Sequence, residues 1–247
     1  VAPLIEGWRA SPLGESERGG AIAGRIRRTA KRAGRNIVSQ YAGSSFAPMS
    51  FELAFGQGGV APITLELGDG SCVYLQGRID RIDVLDADTK RIRVIDYKSG
   101  VKKFDPTMAY WGIQLQLLIY LAAALEQIPG AAPAGFFYCR IADPTVKSES
   151  RIKEEVEKQI AKKLALAGIS LSDVEILRAQ DDRFAAMITR EGKPSALYKG
   201  SMTDKEGMEA MIAFARRKAC ELAGGVFGGE IDDQPAAYGT YLACTHC

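Results

Sequence analysis

Two runs of β-type alternation, Val73 to Val84 and Arg91 to Lys98, flank Asp86-Ala87-Asp88-Thr89-Lys90, a stretch with turn chemistry. The pattern predicts a hairpin. With the turn centred on Asp88, residues whose numbers sum to 176, twice 88, lie opposite each other. Ile82 then meets Val94 and Val84 meets Ile92 on one face, while Asp83 meets Arg93 as an opposite-charge pair on the other. The same register sets Asp80 across from Asp96 on the apolar face, with Lys98 two residues further along. Carboxylates on cross-strand neighbours have Cβ atoms about 5 Å apart, and such like charges are destabilising unless something holds them. A divalent cation would. Mg²⁺, or Mn²⁺, prefers oxygen ligands, commonly one or two carboxylates with water and substrate phosphate. The alternative is a wet strand end where each Asp is satisfied by an Arg, with Arg78 and Arg81 available. Spacing alone leaves both open.

The residues after the hairpin continue the same core. Asp105 is a helix N-cap with Pro106 at the first helical position, and the pattern predicts one helix to about Gln127, where Pro129-Gly130 stops it. From Met108 to Leu125 that helix is apolar nearly all round and so should be buried. Gly112, Gln116 and Tyr120 form a stripe on it at i, i+4 and i+8. A buried Gln needs a partner, either the Asp pair or substrate on one side or a neighbouring backbone group on the other. Gly135 to Ile141 is a buried strand, which makes a compact α/β core.

Upstream, seven basic residues lie between Arg18 and Arg35, and no acidic residue occurs between Glu17 and Glu52. Ile22, Ile26, Ala30, Ala33 and Ile37 recur at helical spacing, so this is a basic amphipathic helix. It is either a solvated face or a path for phosphates. Ser50 to Phe55 is a short strand carrying Glu52, ended by Gly56 to Gly59. Downstream, Arg151 to Ala167 is a surface helix with the stripe Ile152, Val156, Ile160 and Leu164. Ile169 to Gly200 shows short strand-like runs, and Asp204 to Ala223 is an amphipathic helix ended by Gly224-Gly225.

Composition removes other classes. With 47% hydrophobic and 25% charged residues the chain is globular. A net charge of +2, from 32 basic and 30 acidic side chains, gives no bulk case for nucleic acid, so that case must be local. No apolar stretch reaches the length of a membrane span, and nothing reads as a signal peptide. Cys72, Cys139 and Cys220 fall in apolar patterns and read as reduced core thiols of a cytosolic protein. Cys244-Thr245-His246-Cys247 is half of a metal or iron–sulfur site or a redox pair, with His246 a spacer in preference to a ligand. Beginning at Val1 and stopping at Cys247, the sequence reads as a piece of a longer chain, one domain over residues 1–247 with a core at about 48–143 and an extension at 144–247.

Gly77-Arg78-Ile79-Asp80, Asp96-Tyr97-Lys98-Ser99 and Gln116-x-x-x-Tyr120, in that order and on those elements, resemble the RecB-like branch of the PD-(D/E)xK nuclease superfamily. The basic helix leading into Phe51-Glu52-Leu53-Ala54-Phe55-Gly56 and the late Ala-Cys-x-x-Cys look like the nuclease domains of the AddB family, part of AddAB helicase–nucleases. The resemblance implies a restriction-endonuclease-like α/β core, a mixed sheet flanked by helices. It implies metal ligation by Asp80, Asp96 and the main-chain carbonyl of Tyr97, phosphate stabilisation by Lys98, and support of the site by Gln116 and Tyr120. The family's upstream metal-binding histidine has no counterpart, since the sole His lies at the other end. Its [4Fe–4S] cluster uses one cysteine before the core and three after it. Cys244 and Cys247 match two of these, so a cluster is expected in a full-length protein and not in this chain.

The activity implied is Mg²⁺-dependent hydrolysis of phosphodiesters in single-stranded DNA, of the 5′-ended strand leaving a helicase, during double-strand break repair and recombination. An AddA-like partner subunit and a bacterial, nucleoid-associated cytoplasmic setting go with it, and ATP would bind elsewhere in the parent protein, since nothing here matches a P-loop. Arg25, Arg28, Lys102 and Lys103 would contact phosphates without reading bases. The competing reading is a catalytically silent DNA-end-binding scaffold, against which the intact Asp80, Asp96 and Lys98 set argues.

Overall fold

A computed structural model describes residues 16–58, 60–86, 88–147, 152–232, 237–239 and 241–242, together with 3, 6 and 7. The basic segment forms a helix, Glu17–Ala42, whose N-cap Ser16 accepts the Gly19 N–H at 3.0 Å. Next comes β1, Ala47–Phe55, an edge strand. Edge placement is why Pro48 is tolerated inside it, beside a register shift between Pro48 and Ser50.

The strands β4, Gly77–Val84, and β5, Arg91–Lys98, form the hairpin that the sequence predicts. Ile82 pairs with Val94, Asp83 with Arg93 and Val84 with Ile92. The chain then crosses over to β6, Ala132–Arg140, which runs parallel to β5. With β7, Ala167–Leu171, and β8, Met202–Thr203, the sheet has six strands in the order β1-β4-β5-β6-β7-β8. It is mixed and flanked by helices, as the resemblance implies.

Alternation along β5 and β6 feeds two cores. Ile92, Val94 and Phe136 join Leu117, Leu118 and Leu121 of the Gln116–Gln127 helix on one face. Ile95, Phe137 and Cys139 meet Leu177 and Phe184 on the other. A sheet covered on both faces explains why β5 is buried without a break from Ile92 to Asp96.

Several sequence expectations do not hold. The run Val73 to Val84 is two strands: β3, Cys72–Leu75, leaves the main sheet at Gln76 and pairs with β2, Ile63–Glu66. The helix expected from Pro106 to Gln127 is also two, Pro106–Tyr110 and Gln116–Gln127. Gly112, at φ +81°, ends the first. Its N–H bonds the Ala109 carbonyl and that of Ile113 bonds Met108, the two bonds of a Schellman stop.

Ile169 to Gly200 contributes only β7 before short helices take over, Val174–Gln180 and Asp182–Ala185, capped by Asp173 and Asp181. Their capping chemistry outweighs the strand-like apolar runs. The last long helix, Lys205–Phe227, passes through Gly224-Gly225 and ends at Gly228, a glycine pair lowering helix propensity without forbidding helix. Cys72 is exposed and not a core residue, because β3 lies off the main sheet; Cys139 is buried and Cys220 half-buried, all three free thiols. Among the described residues no helix is long and apolar enough to cross a membrane. Two further short strands, β9 Ala237–Tyr238 and β10 Tyr241–Leu242, pair with each other.

Candidate active site

The β4–β5 ladder ends at Arg81 opposite Ile95, so the next slot sets Asp80 opposite Asp96. In that slot side chain replaces backbone. Asp80 Oδ2 accepts the Tyr97 N–H at 2.7 Å, and this pins its carboxylate over the end of β5. Asp96 is only 2% exposed. Its Oδ2 lies 2.6 Å from Lys98 Nζ, an ion pair that holds this buried oxygen. Lys98 Nζ also donates to Gln116 Oε1 at 2.9 Å, and Gln116 Nε2 donates to the Tyr120 hydroxyl oxygen at 2.9 Å. One row of contacts therefore links Asp96, Lys98, Gln116 and Tyr120.

Local structure explains the row. The Gly112 stop lets a new helix begin at Gln116, so Gln116 sits on its first turn facing the end of β5 and Tyr120 lies one turn on. Gln116 is exposed and not buried, and it takes Lys98 and Tyr120 as partners instead of a backbone group. Gly77, three residues before Asp80, is needed for packing: a Cβ there would lie 2.8 Å from the Phe55 ring. Phe55 in turn meets the Tyr120 ring edge-on at 6.1 Å.

Burial pushes the Asp96 carboxyl above its ordinary range; Lys98 opposes that rise and Asp80 adds to it. Tyr138, opposite Asp96 on β6, is pushed up to about 12 by burial first and the Asp96 charge second.

The wet-end alternative fails on its partners. Arg81 is fully buried on the far face, bidentate to Asp83 at 2.8 and 2.7 Å, and Arg78 reaches Glu52 at 3.5 Å. Neither neutralises the Asp pair. Glu52 has a place near the site that the sequence does not disclose. Phe51 faces Arg81 and Leu53 faces Ile79, so Glu52 lies opposite Asp80, at a left-handed φ of +51° and with its carboxylate turned out to Arg78. A lone acid in an apolar edge strand is the available signal, but without the β1–β4 register it has no address.

Among the described residues no group of three or more His, Cys, Asp and Glu is close enough to hold a metal. The acidic donors on offer are two carboxylates, Asp80 held by the Tyr97 N–H and Asp96 buried beside Lys98. That set suits a hard cation of the Mg²⁺ type, which retains several waters, and does not suit Zn²⁺ in a closed site. Of the phosphate-contact candidates, Lys102 and Lys103 line a cleft shared with Lys98. Arg25 is exposed on the first helix, and Arg28 there lies 3.7 Å from Asp143. Cys244, His246 and Cys247 lie outside the described residues.

Residues 2–247 match the family model of the PD-(D/E)XK nuclease superfamily. The chain is also similar to proteins named as a subunit of an ATP-dependent helicase/deoxyribonuclease. It is 35% identical to that of Alkaliphilus oremlandii over 237 residues, 90% of this chain and 20% of the relative. To that of Clostridium tetani it is 36% identical over 262 aligned residues, 100% of this chain and 23% of the relative. The figures for Moorella thermoacetica are 32% over 248 residues, 95% and 22%. The chain thus spans about a fifth of the length of the curated relatives it matches.

Proposed function

Since the chain belongs to the PD-(D/E)XK nuclease superfamily, we propose that it is a metal-dependent deoxyribonuclease domain that hydrolyses unwound single-stranded DNA within a larger helicase–nuclease. The carrying observation is the buried Asp96 carboxylate beside Asp80, paired at 2.6 Å with Lys98 and tied through it to Gln116 and Tyr120.

Asp80 and Asp96, with the Tyr97 carbonyl, would hold a divalent cation. When bound, such a cation would supply positive charge at the phosphate and lower the pKa of an attacking water. The rest is done by the chain's own groups. Asp80 is fixed before any ligand arrives by its bond to the Tyr97 N–H. Lys98 offers an ammonium to a phosphate oxygen as negative charge builds there. Gln116 holds that ammonium at the site, and Tyr120 holds Gln116. The Lys98 side chain is only 27% exposed, which limits its screening by solvent. Lys102 and Lys103, and further off Arg25 and Arg28, would take flanking phosphates without reading sequence.

The similarity to deoxyribonuclease subunits supports a place in DNA end processing and recombination, in the bacterial cytoplasm, with a helicase subunit of the AddA type as partner. Attack on the 5′-ended strand, and a [4Fe–4S] cluster that takes Cys244 and Cys247 with two cysteines from outside this chain, complete the proposal.

The test is cleavage of end-labelled single-stranded DNA in Mg²⁺ without ATP, beside Asp96→Ala. Cleavage by the parent and at least a loss of about a hundredfold in the variant is the expected result, the scale on which removal of an essential electrostatic group acts. Equal cleavage by both would place the chemistry elsewhere. No cleavage by either, with DNA still bound, would favour the scaffold reading.

A further inference from the structure

A cleft of about 690 Å³ opens beside Lys98, between the 98–104 segment, the end of β6 and the end of the Lys153–Lys163 helix. Its cations are Lys98, Lys102, Lys103, Arg140, Lys162 and Lys163, and among the described residues no Asp or Glu lines it. In a chain with a net charge of only +2, that is a concentrated positive field. Arg140 Nε is buried there with no acceptor among the described residues, although a buried guanidinium nitrogen ordinarily has one. Between the cations the lining is apolar, backed by the buried side chains of Phe104, Tyr138 and Phe184.

We propose that this cleft is the track along which a single DNA strand reaches Lys98, with Arg140, Lys162 and Lys163 as its phosphate contacts. The inference rests on the nuclease reading and adds residues and substrate form to it. Cations from three segments around one cleft match the phosphates of a strand, and the nuclease reading supplies its unpaired form. Lys98 belongs to both cleft and site, so the track leads to the Asp pair. Arg140 lies at the end of β6 and Lys162 and Lys163 on a helix further along the chain, which is why no local motif joins them.

The experiment measures binding of a fluorescent oligothymidylate and of a duplex of equal length across a salt series, in chelator so that nothing is cut. Lys162→Ala/Lys163→Ala is expected to reduce the slope of log K against log salt for the single strand by roughly 1.4, or about 0.7 per lost contact. Arg140→Gln should reduce it by roughly half as much. Lys193→Ala/Lys205→Ala removes the same charge elsewhere and should leave the slope unchanged. In Mg²⁺ the cleft variants should raise KM and leave kcat within about twofold, as loss of uniform binding does. Unchanged slopes in the cleft variants, or an equal fall in the control pair, would overturn the track. A duplex affected as much as the single strand would overturn the assigned substrate form. Reduced slopes with no cleavage by the parent would sink the nuclease reading and leave the track standing.

Discussion

Asp96 shows what a reactive residue costs its own fold. Its pKa is raised, so the folded state disfavours the ionised carboxylate. Stability from this group is therefore greatest below the ordinary Asp range and falls as pH rises through the raised value. Asp96→Asn cannot ionise. In chelator, thermal unfolding of the variant should lack that fall and give a higher Tm at neutral pH. Mg²⁺ should raise the Tm of the parent and not of the variant, because only a ligand of the folded state stabilises it. Tyr138 makes the alkaline counterpart. Burial and the Asp96 charge keep it protonated up to about 12, against an ordinary value of 10.0, so its contribution is complete below 10.0 and is lost as pH climbs towards 12. Ultraviolet titration should show the parent gaining one tyrosinate over Tyr138→Phe only near the top of that range. At this scale the sequence is informative: Asp80, Asp96 and Lys98 are legible from period and register. The bond from Tyr97 N–H to Asp80 is not, because it replaces a ladder bond that an ideal register would have formed.

At the scale of elements, the break at Gly112 decides where Gln116 points. A continuous helix would have carried Gly112, Gln116 and Tyr120 as one stripe in a buried rod. The Schellman stop begins a second helix at Gln116 and aims its amide at Lys98. Alanine at position 112 would have to adopt φ +81° with its Cβ 3.0 Å from a Leu222 methyl. Gly112→Ala should cost about 1–2 kcal/mol from the left-handed backbone alone, a Tm loss of a few degrees for a chain of this size. If the stop also aims Gln116, kcat should fall more than DNA affinity does; an unchanged kcat would make Gly112 purely structural. The sequence contains this glycine but does not reveal its φ. An isolated Gly inside an apolar helical pattern is tolerated in many helices, and only its φ of +81° and the two carbonyl bonds around it mark it as a stop.

For the molecule as a whole, the far face of the sheet carries a buried charge network that fixes how the basic helix sits. Asp83 takes two bonds from Arg81, one from Arg93 at 2.9 Å and one from the Tyr41 hydroxyl at 3.1 Å, with both arginines and Asp83 fully buried. Arg93 Nη1 donates onward to Gln180 Oε1 at 2.7 Å, and the guanidinium carbons of Arg81 and Arg93 each sit 4.4 Å from an aromatic centroid, Tyr41 and Phe46. The network ties residues 40–46, the hairpin and the Val174–Gln180 helix together behind the site. Asp83→Asn would leave two buried guanidiniums short of an anion, and about 3–5 kcal/mol should be lost. Urea unfolding measures it, and a loss under about 1 kcal/mol would show that water or another group compensates. The sequence predicts the Asp83–Arg93 pair across the hairpin; Arg81, Tyr41 and Gln180 enter it from elements whose docking no local pattern reports.

Residue order alone suffices for the hairpin register, the two carboxylates on one face, the lysine beside them and the Asp83–Arg93 pair on the other face. Those follow from periods of two and from turn chemistry, which act over a few residues. Docking of distant elements set the rest: the burial of Asp96, the turn of Gln116 towards Lys98, the place of Glu52 opposite Asp80, and the meeting of cations from three separate segments in one cleft. Each of those depends on which elements pack together and at what register, and long-range packing fixes both.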